Sequence, residues 1–353
     1  MDQVAAQTDR PSTDMEFSPG IHVCVRTHVA QRKHNEDAFL VGPDTSVVVI
    51  ADGVGGHNAG EVASRMTGEA IQEEMLRSGD LEQAVRFANQ QVMAGVATGV
   101  GQEGMASTVV AAHMEGPKFD IAWVGDSRTY LWDGSLHLLT RDHSFVAAQL
   151  EMGKITLEEA RNHPRKNVIV QAIGLHKDGD LKVGRNSGAL APGETLLLCT
   201  DGLNDILENL QISAVLSLKS SLAEKCEGLI QAALAAGGRD NVTVALLGAD
   251  VSMISTGKRP STVWSFDPET GKYEGLPELL DDTHLNQPIG TEMKKRPGTT
   301  EMMKIDVMEE VRLRSGEHLR PEVKQSNTVS WNWLVLAITA VGLVAAAAAL
   351  LLL

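Results

Sequence analysis

The chain has 353 residues, 43% hydrophobic and 22% charged, an ordinary globular balance that excludes wholesale disorder. Its 31 basic and 46 acidic side chains give a formal net charge of -15, which repels phosphate backbones and argues against sequence-independent nucleic-acid binding. Three cysteines without CxxC spacing exclude a disulfide scaffold and a zinc ribbon.

Residues 1–20 hold no apolar stretch, so a flexible N-terminus without a signal peptide is expected. From 21 to 250 the pattern predicts one α+β domain rich in strands. Runs of strand length and β-branched content fall at 22–28, 46–51, 120–124, 128–132, 195–199 and 242–248. Asp133-Gly134 marks a hairpin turn after the fourth of these. Asp80 is placed to cap a helix whose apolar face is Leu81, Ala84, Val85, Ala88 and Val92. Thr156 and Glu159 have capping-box spacing ahead of a short helix ending near Pro164. A further helix after Lys219 carries Leu222, Cys226, Leu229, Ile230 and Ala233 on one face and stops at Gly237-Gly238. Grouped strands with hairpins, rather than strict β-α alternation, argue against a doubly wound parallel sheet. Cys24, Cys199 and Cys226 lie in apolar surroundings and read as inert core residues.

Residues 251–330 include six prolines and no long apolar period, and are expected to be a largely disordered linker. Two stretches within it, VWSFDPETGKYEGLPELL and MMKIDVMEEVRL, are apolar enough to dock on something. The linker carries 11 basic and 13 acidic residues, so a net charge of -13 belongs to residues 1–250. Trp333 to Leu353 is a run of 21 residues without charge, about 31 Å as a helix, which matches a bilayer core. Residues 331–353 are therefore expected to form a transmembrane helix. Arg312, Arg314, Arg320 and Lys324 ahead of it imply a tail-anchored protein whose bulk faces the cytoplasm.

Aspartates fall at the ends of apolar strands. Val47–Ala51 runs into Asp52-Gly53, Leu196–Thr200 into Asp201, and Ile121–Gly125 into Asp126, while Asp240-Asn241 opens the run at 242. One such Asp is an ordinary turn residue. Four of them, with Glu36 and Asp37, would repel one another unless a cation intervened, and oxygen-only ligands suit Mg²⁺ or Mn²⁺ rather than zinc. No phosphate loop, HExxH or GxSxG motif is present. The residues thus point to a metal-assisted hydrolase acting on phosphate esters.

Seven stretches, QRKHNEDAF, IADGVGGHNAGEVAS, GMASTVV, AWVGDSRTYLW, TRDHSFV, CTDGLNDIL and GGRDNVTV, resemble in order and rough spacing the metal-dependent Ser/Thr protein phosphatases of type 2C (PPM). The resemblance covers about residues 20–250. It implies a four-layer α-β-β-α sandwich, with two packed antiparallel sheets flanked by helix pairs. It also implies hydrolysis of phosphoserine and phosphothreonine by a water between two Mn²⁺ or Mg²⁺ ions. By motif, Asp52 would bridge both metals and Gly53 lend its carbonyl. Asp201 and Asp240 would hold the first metal, and Glu36 or Asp37 would orient water at the second. Asp126 would bind a third, weaker metal, with Asp201 shared. Arg32 would grip the substrate phosphate, and Asn241 would support the site. Residues from about His143 to Gly174 match a mobile flap beside the cleft. Val54 stands where some members carry a general-acid histidine, and Gln171-Ala172-Ile173-Gly174 replaces a common Arg-Ala-Leu-Gly. His57, His143 and His163 read as surface loop histidines. The implied partners are phosphoproteins of a partner kinase. The competing readings are a non-catalytic phosphoprotein-binding scaffold and a small-molecule phosphate-ester hydrolase.

Overall fold

The computed structural model describes residues 12–18, 20–55, 59–177, 179–249 and 262–276. In chain order its elements begin with β1 (Ser12–Ser18), β2 (Ile21–His28), β3 (Asp37–Gly42), β4 (Val47–Val54), α1 (Ala59–Ser78) and α2 (Leu81–Thr98). Next come β5 (Ala106–Ser107), β6 (Val109–Glu115), β7 (Lys118–Val124), β8 (Arg128–Trp132), β9 (Leu136–Leu138), α3 (Phe145–Glu151) and α4 (Leu157–Arg161). The remainder are β10 (Gly184–Ala189), β11 (Thr195–Cys199), α5 (Asp201–Asn204), α6 (Asn209–Leu216), α7 (Leu222–Ala235), β12 (Val242–Ala249), β13 (Trp264–Asp267) and β14 (Lys272–Gly275).

Two large sheets result, both antiparallel. One runs β1-β2-β12-β11-β8-β9, the other β10-β7-β6-β4-β3 with β5 added to β4. Strand alternation explains their stacking. Val48 and Ile50 of β4 point into a core shared with Leu196 and Leu198 of β11 and Trp123 of β7. Val47 and Val49 point the other way, into a core with Ala63, Ile71, Val85 and Val92 of α1 and α2. Leu197 and Cys199 of β11 likewise face Leu203, Leu216, Cys226 and Leu229 of the second helical layer. Central strands are therefore buried on both faces, which is why they read as unbroken apolar runs. Removing one such side chain, as in Leu198→Ala, costs about 2–5 kcal/mol. The order helix, sheet, sheet, helix is the four-layer α+β sandwich expected.

Local signals position the helices. Asp80 caps α2 by accepting the Gln83 N–H at 3.0 Å, and Gly99 ends it in the left-handed region. Thr156–Glu159 caps α4, and a second reciprocal box, Ser221–Glu224, starts α7. The three cysteines are free and buried.

Two expected boundaries need correction. Ser12–Ser18, assigned to a flexible N-terminus, is a strand paired antiparallel with β2, and Phe17 is buried against the inter-sheet core. Part of the expected linker is ordered as well: β13 and β14 form a hairpin in which Val263 and Leu276 are buried. In both cases short apolar side chains find a sheet edge to cover, which composition over a long window does not register. Among the described residues no helix is long and apolar enough to cross a membrane. The run 331–353, the second apolar stretch of the linker, and His57 all lie outside the described residues.

Candidate active site

The carboxylates arrive at one end of the sandwich from both sheets. Asp37 of β3 sits directly opposite Asp52 of β4 in the antiparallel register, so both side chains leave the same face. Asp201 opens α5 directly after β11, and Asp240 lies just before β12, the neighbouring strand. Asp126 follows β7 beyond Gly125. These groups are close enough that Asp52 senses the charges of Asp37, Asp201, Asp240 and Asp126.

Backbone and hydroxyl bonds fix that end. The Asp52 N–H donates to Thr108 Oγ1 at 3.2 Å, and the Asp52 carbonyl accepts from Thr108 N–H at 2.8 Å and Ser107 Oγ at 3.0 Å. Thr108 Oγ1 also meets Ser127 Oγ at 2.8 Å, which ties the Asp126 loop to the end of β4. Gly53 and Gly60 are glycines for steric reasons. A Cβ on Gly53 would stand 2.1 Å from the Gly60 carbonyl, and one on Gly60 would stand 2.9 Å from Glu36 Oε1. The start of α1 is thereby brought against the Gly53 backbone, whose N–H donates to the Glu36 carbonyl at 3.0 Å, and the Glu36 carboxylate lies beside Gly60.

Asp37 is 1% exposed and joins the two sheets. Its Oδ2 accepts from Thr200 Oγ1 at 2.9 Å and Thr243 Oγ1 at 2.7 Å. Asn241 organises the rim loop: its Oδ1 accepts the Glu36 N–H at 2.8 Å, while its Nδ2 donates to the Val29 and His34 carbonyls. Arg32, on that loop, donates from Nη2 to Asp240 Oδ2 at 2.7 Å, and half of its side chain remains exposed.

Charge is the dominant stress. Burial pushes the Asp52 carboxyl well above the usual range, and the neighbouring Asp37 and Asp201 charges push it further. Asp201 is raised in the same way, by burial first and then by Asp126 and Asp240. Burial lifts Asp37 to about 7 even though both threonine hydroxyls oppose the rise. Asp126 is lifted to about 7 by burial, then by Asp142 and Asp205. Glu36 is raised by burial, against the pull of Arg32.

Some neighbours were not singled out in the sequence. Asp205 lies one helical turn after Asp201 and raises both Asp126 and Asp201; the i, i+4 spacing in DGLND was the available signal. Asp205 also pairs with Lys166 of the flap segment at 3.1 Å. Arg128 holds Asp142 through two bonds of 2.9 and 2.7 Å behind the Asp126 loop. His143 is not a surface histidine. It stacks on Trp123 and its Nδ1 accepts the Gly125 N–H at 3.2 Å, and burial, followed by the nearby cations Arg141 and Lys182, pushes its imidazole down to about 3. His163 sits in the flap against Phe145. Gln171 turns inward, its Oε1 accepting the Lys182 N–H at 3.0 Å.

The donor set suits a hard cation. It consists of carboxylates and a backbone carbonyl, and Asp37 Oδ1 and Asp201 Oδ1 are buried without a hydrogen-bond partner. Among the described residues no three such side chains form a ready-made coordination sphere.

Comparison with known proteins agrees with this geometry. Residues 25–237 match the family described as Protein phosphatase 2C. The Listeria welshimeri serine/threonine phosphatase stp is 36% identical over 230 residues, covering 61% of this chain and 90% of that protein. The Mycobacterium tuberculosis phosphatase PstP is 39% identical over 62% of this chain and 43% of its own length. The crystal structure of M. tuberculosis PstP superposes with a TM-score of 0.60 at 33% identity, covering 65% of this chain and 99% of that one. A PstP catalytic domain in complex with two manganese ions superposes at 0.58 with 32% identity, covering 65% of this chain and 98% of that one. With more than half of its residues matched, and nearly the whole of a phosphatase relative spanned, the chain belongs to the protein phosphatase 2C family.

Proposed function

We propose that this chain is a protein serine/threonine phosphatase that hydrolyses phosphoserine and phosphothreonine with the help of two Mn²⁺ or Mg²⁺ ions. The observation that carries the reading is the meeting of Asp52, Asp126, Asp201 and Asp240 at one end of the sandwich, with the half-exposed guanidinium of Arg32 at its edge. Asp52, the Gly53 carbonyl, Asp201 and Asp240 would hold the two ions, and Asp126 with Asp201 a third, weaker one. Of Glu36 and Asp37, Glu36 is the better candidate to orient water at the second ion, because the Asp37 carboxylate is engaged by two threonines. Bound there, the ions supply Lewis acidity toward the phosphoryl group and lower the pKa of water. A relative solved with two manganese ions supports that assignment.

The chain's own groups have separate parts. Arg32 presents a planar fork to the phosphate oxygens. Asn241 keeps the loop carrying Arg32 and Glu36 in register through its bonds to Glu36, Val29 and His34. Cys199 lies near the site, but burial pushes its thiol up to about 12, so it does not compete as a nucleophile. With Val54 following Gly53, leaving-group protonation falls to water.

The full chain is expected to release phosphate from a phosphothreonine peptide only with Mn²⁺ or Mg²⁺ present, and Asp52→Asn should abolish this. Turnover that survives EDTA would sink the proposal. Turnover confined to small esters would favour the small-ester hydrolase, and none at all the scaffold.

The substrates are proposed to be phosphoproteins of a membrane-proximal kinase, with residues 251–261 and 277–330 as tether and 331–353 as a single transmembrane helix holding the catalytic domain at the cytoplasmic face. The support is the charge-free run Trp333–Leu353 and the basic residues that precede it. Deleting 331–353 should move the chain from the membrane to the soluble fraction; continued membrane association would refute the anchor.

A further inference from the structure

The hairpin β13–β14 lies beyond the family match at 25–237, yet it is built into the core. Val263 is fully buried and Leu276 is 9% exposed, and both join the inter-sheet cluster that includes Phe119, Leu139 and Leu190. Gly188 of β10 leaves room for the insertion, since a Cβ there would stand 2.8 Å from Val263 Cγ2. The hairpin covers the side where β9 and β10 are the outermost strands of their sheets, edges that otherwise need protection.

Its polar contacts reach one short segment, directly through Ser265 and indirectly through Asn186. Buried Asn186 of β10 donates from Nδ2 to the Leu139 carbonyl at 3.0 Å and to the Trp264 carbonyl at 2.7 Å. Ser265 Oγ donates to the Leu138 carbonyl at 3.3 Å. Tyr273 packs against Phe266 within the hairpin. The segment so held, Leu138–Asp142, is the stretch from which the flap departs. Arg141 pairs with Glu151 at the end of α3 in the flap, and its carbonyl accepts from Trp123 Nε1 at 2.7 Å. Asp142 is clasped by Arg128, two residues beyond Asp126.

We propose that β13–β14 is a positioning strap: it fixes the junction Leu138–Asp142, and through Arg141 it sets the flap. Asn186 and Ser265 are positioning residues, acting through that junction and not on substrate. A protein substrate that lies against the flap feels the strap, whereas a small ester that reaches only the carboxylate cluster does not. This kinetic consequence rests on the phosphatase reading; the structural one does not.

The test uses the full chain carrying Asn186→Ala or Ser265→Ala, with Ser265→Thr as the conservative variant. Amide exchange across 138–151 should quicken about tenfold in both alanine variants, the factor that losing one buried hydrogen bond represents. KM for a phosphothreonine peptide should rise about tenfold, while kcat/KM for p-nitrophenyl phosphate stays within about twofold, as for a remote surface change. Ser265→Thr, which keeps the hydroxyl, should match the wild type in both. Faster exchange confined to 262–276, or equal losses on both substrates, would overturn the strap and leave the hairpin as core cover. Should Asn186→Ala not fold, Ser265→Ala, at a part-buried site, decides the matter by itself. A wild-type chain inert on both substrates would count against the phosphatase reading, and the exchange data would still judge the strap.

Discussion

Thr243→Val removes one hydroxyl from the clamp on Asp37 while keeping the shape of the side chain. Thr243 Oγ1 donates to Asp37 Oδ2 at 2.7 Å, and its partner hydroxyl on Thr27 lies at 2.8 Å. Asp37 belongs to one sheet, while Thr243 lies in β12 of the other and Thr200 directly follows its β11, so the clamp is also an inter-sheet fastening. A hydrogen bond to a buried charge is worth about 1.5–3 kcal/mol, which for a domain of this size is a fall in Tm of roughly 4–10 °C. The dependence on pH is the sharper part. Asp37 titrates at about 7, above its ordinary 3.8, because burial outweighs the two hydroxyls that pull it down. A carboxyl raised on folding contributes its full stability below the unfolded value and loses it as pH rises through the folded value. Valine lifts the folded value further, so the variant keeps losing stability at a pH where the wild type has levelled off. Thermal melts in EDTA at about pH 6 and about pH 8.5 should therefore show a deficit that grows with pH. An equal deficit at both, or none, would refute the charged clamp.

Asp201→Asn is expected to abolish turnover yet raise the Tm of the EDTA-treated chain, because it removes one of several mutually repelling carboxylates; a lowered Tm would mean that the carboxylate serves packing. Gly202→Ala would set a Cβ 1.9 Å from the Asn241 carbonyl, a backbone atom, so it should cost about 1–3 kcal/mol in denaturant unfolding and weaken Mn²⁺ binding in titration calorimetry. Wild-type stability and affinity would show that the two site loops are not in contact. Asp240→Asn should free Arg32 and tighten inorganic phosphate binding in EDTA by up to about fivefold, the scale of an exposed ion pair. A gain that persists when Arg32 is also replaced by alanine would refute the pairing.

The elements legible in the sequence were those whose apolar residues repeat without interruption. The α2 face of Leu81, Ala84, Val85, Ala88 and Val92 is buried as its spacing requires. Helix α1 escaped because its inward face includes Gly60, Ser64, Thr67, Gly68, Gln72 and Glu74, which dilute the apolar period. Those residues are satisfied only in the folded chain, as where Gln72 Oε1 accepts from Thr45 Oγ1 at 2.7 Å and Glu74 Oε1 from Gln83 Nε2 at 2.6 Å. Strand β10, GRNSGA, has no β-branched residue at all and exists because β7 offers it an edge. The site was legible as a set of strand-end aspartates, but not the parts played by its neutral residues. Nothing in the spacing of Thr200 and Thr243 says that they share one carboxylate. Nor does the position of His143 say that its ring supports Gly125.

That the aspartates gather at one end follows from two features of the sheets. The central strands are covered on both faces, Val47 to Ile50 and Leu196 to Cys199 being fully buried, so a carboxylate first escapes the core where a strand ends. Antiparallel pairing then decides which ends coincide. The end of β11 lies beside the start of β12, which brings Asp201 to Asp240. Strand β6 runs opposite to both β4 and β7, so β4 and β7 finish together and bring Asp52 to Asp126. How one sheet is placed over the other is set by the apolar core they share together with Asp37 bonding to Thr200 and Thr243. Burial on both faces therefore expels the charge, topology collects it, and one buried carboxylate helps to fasten the two sheets. The acidity of residues 1–250 is in part the electrostatic consequence of assembling a site that needs cations to become stable.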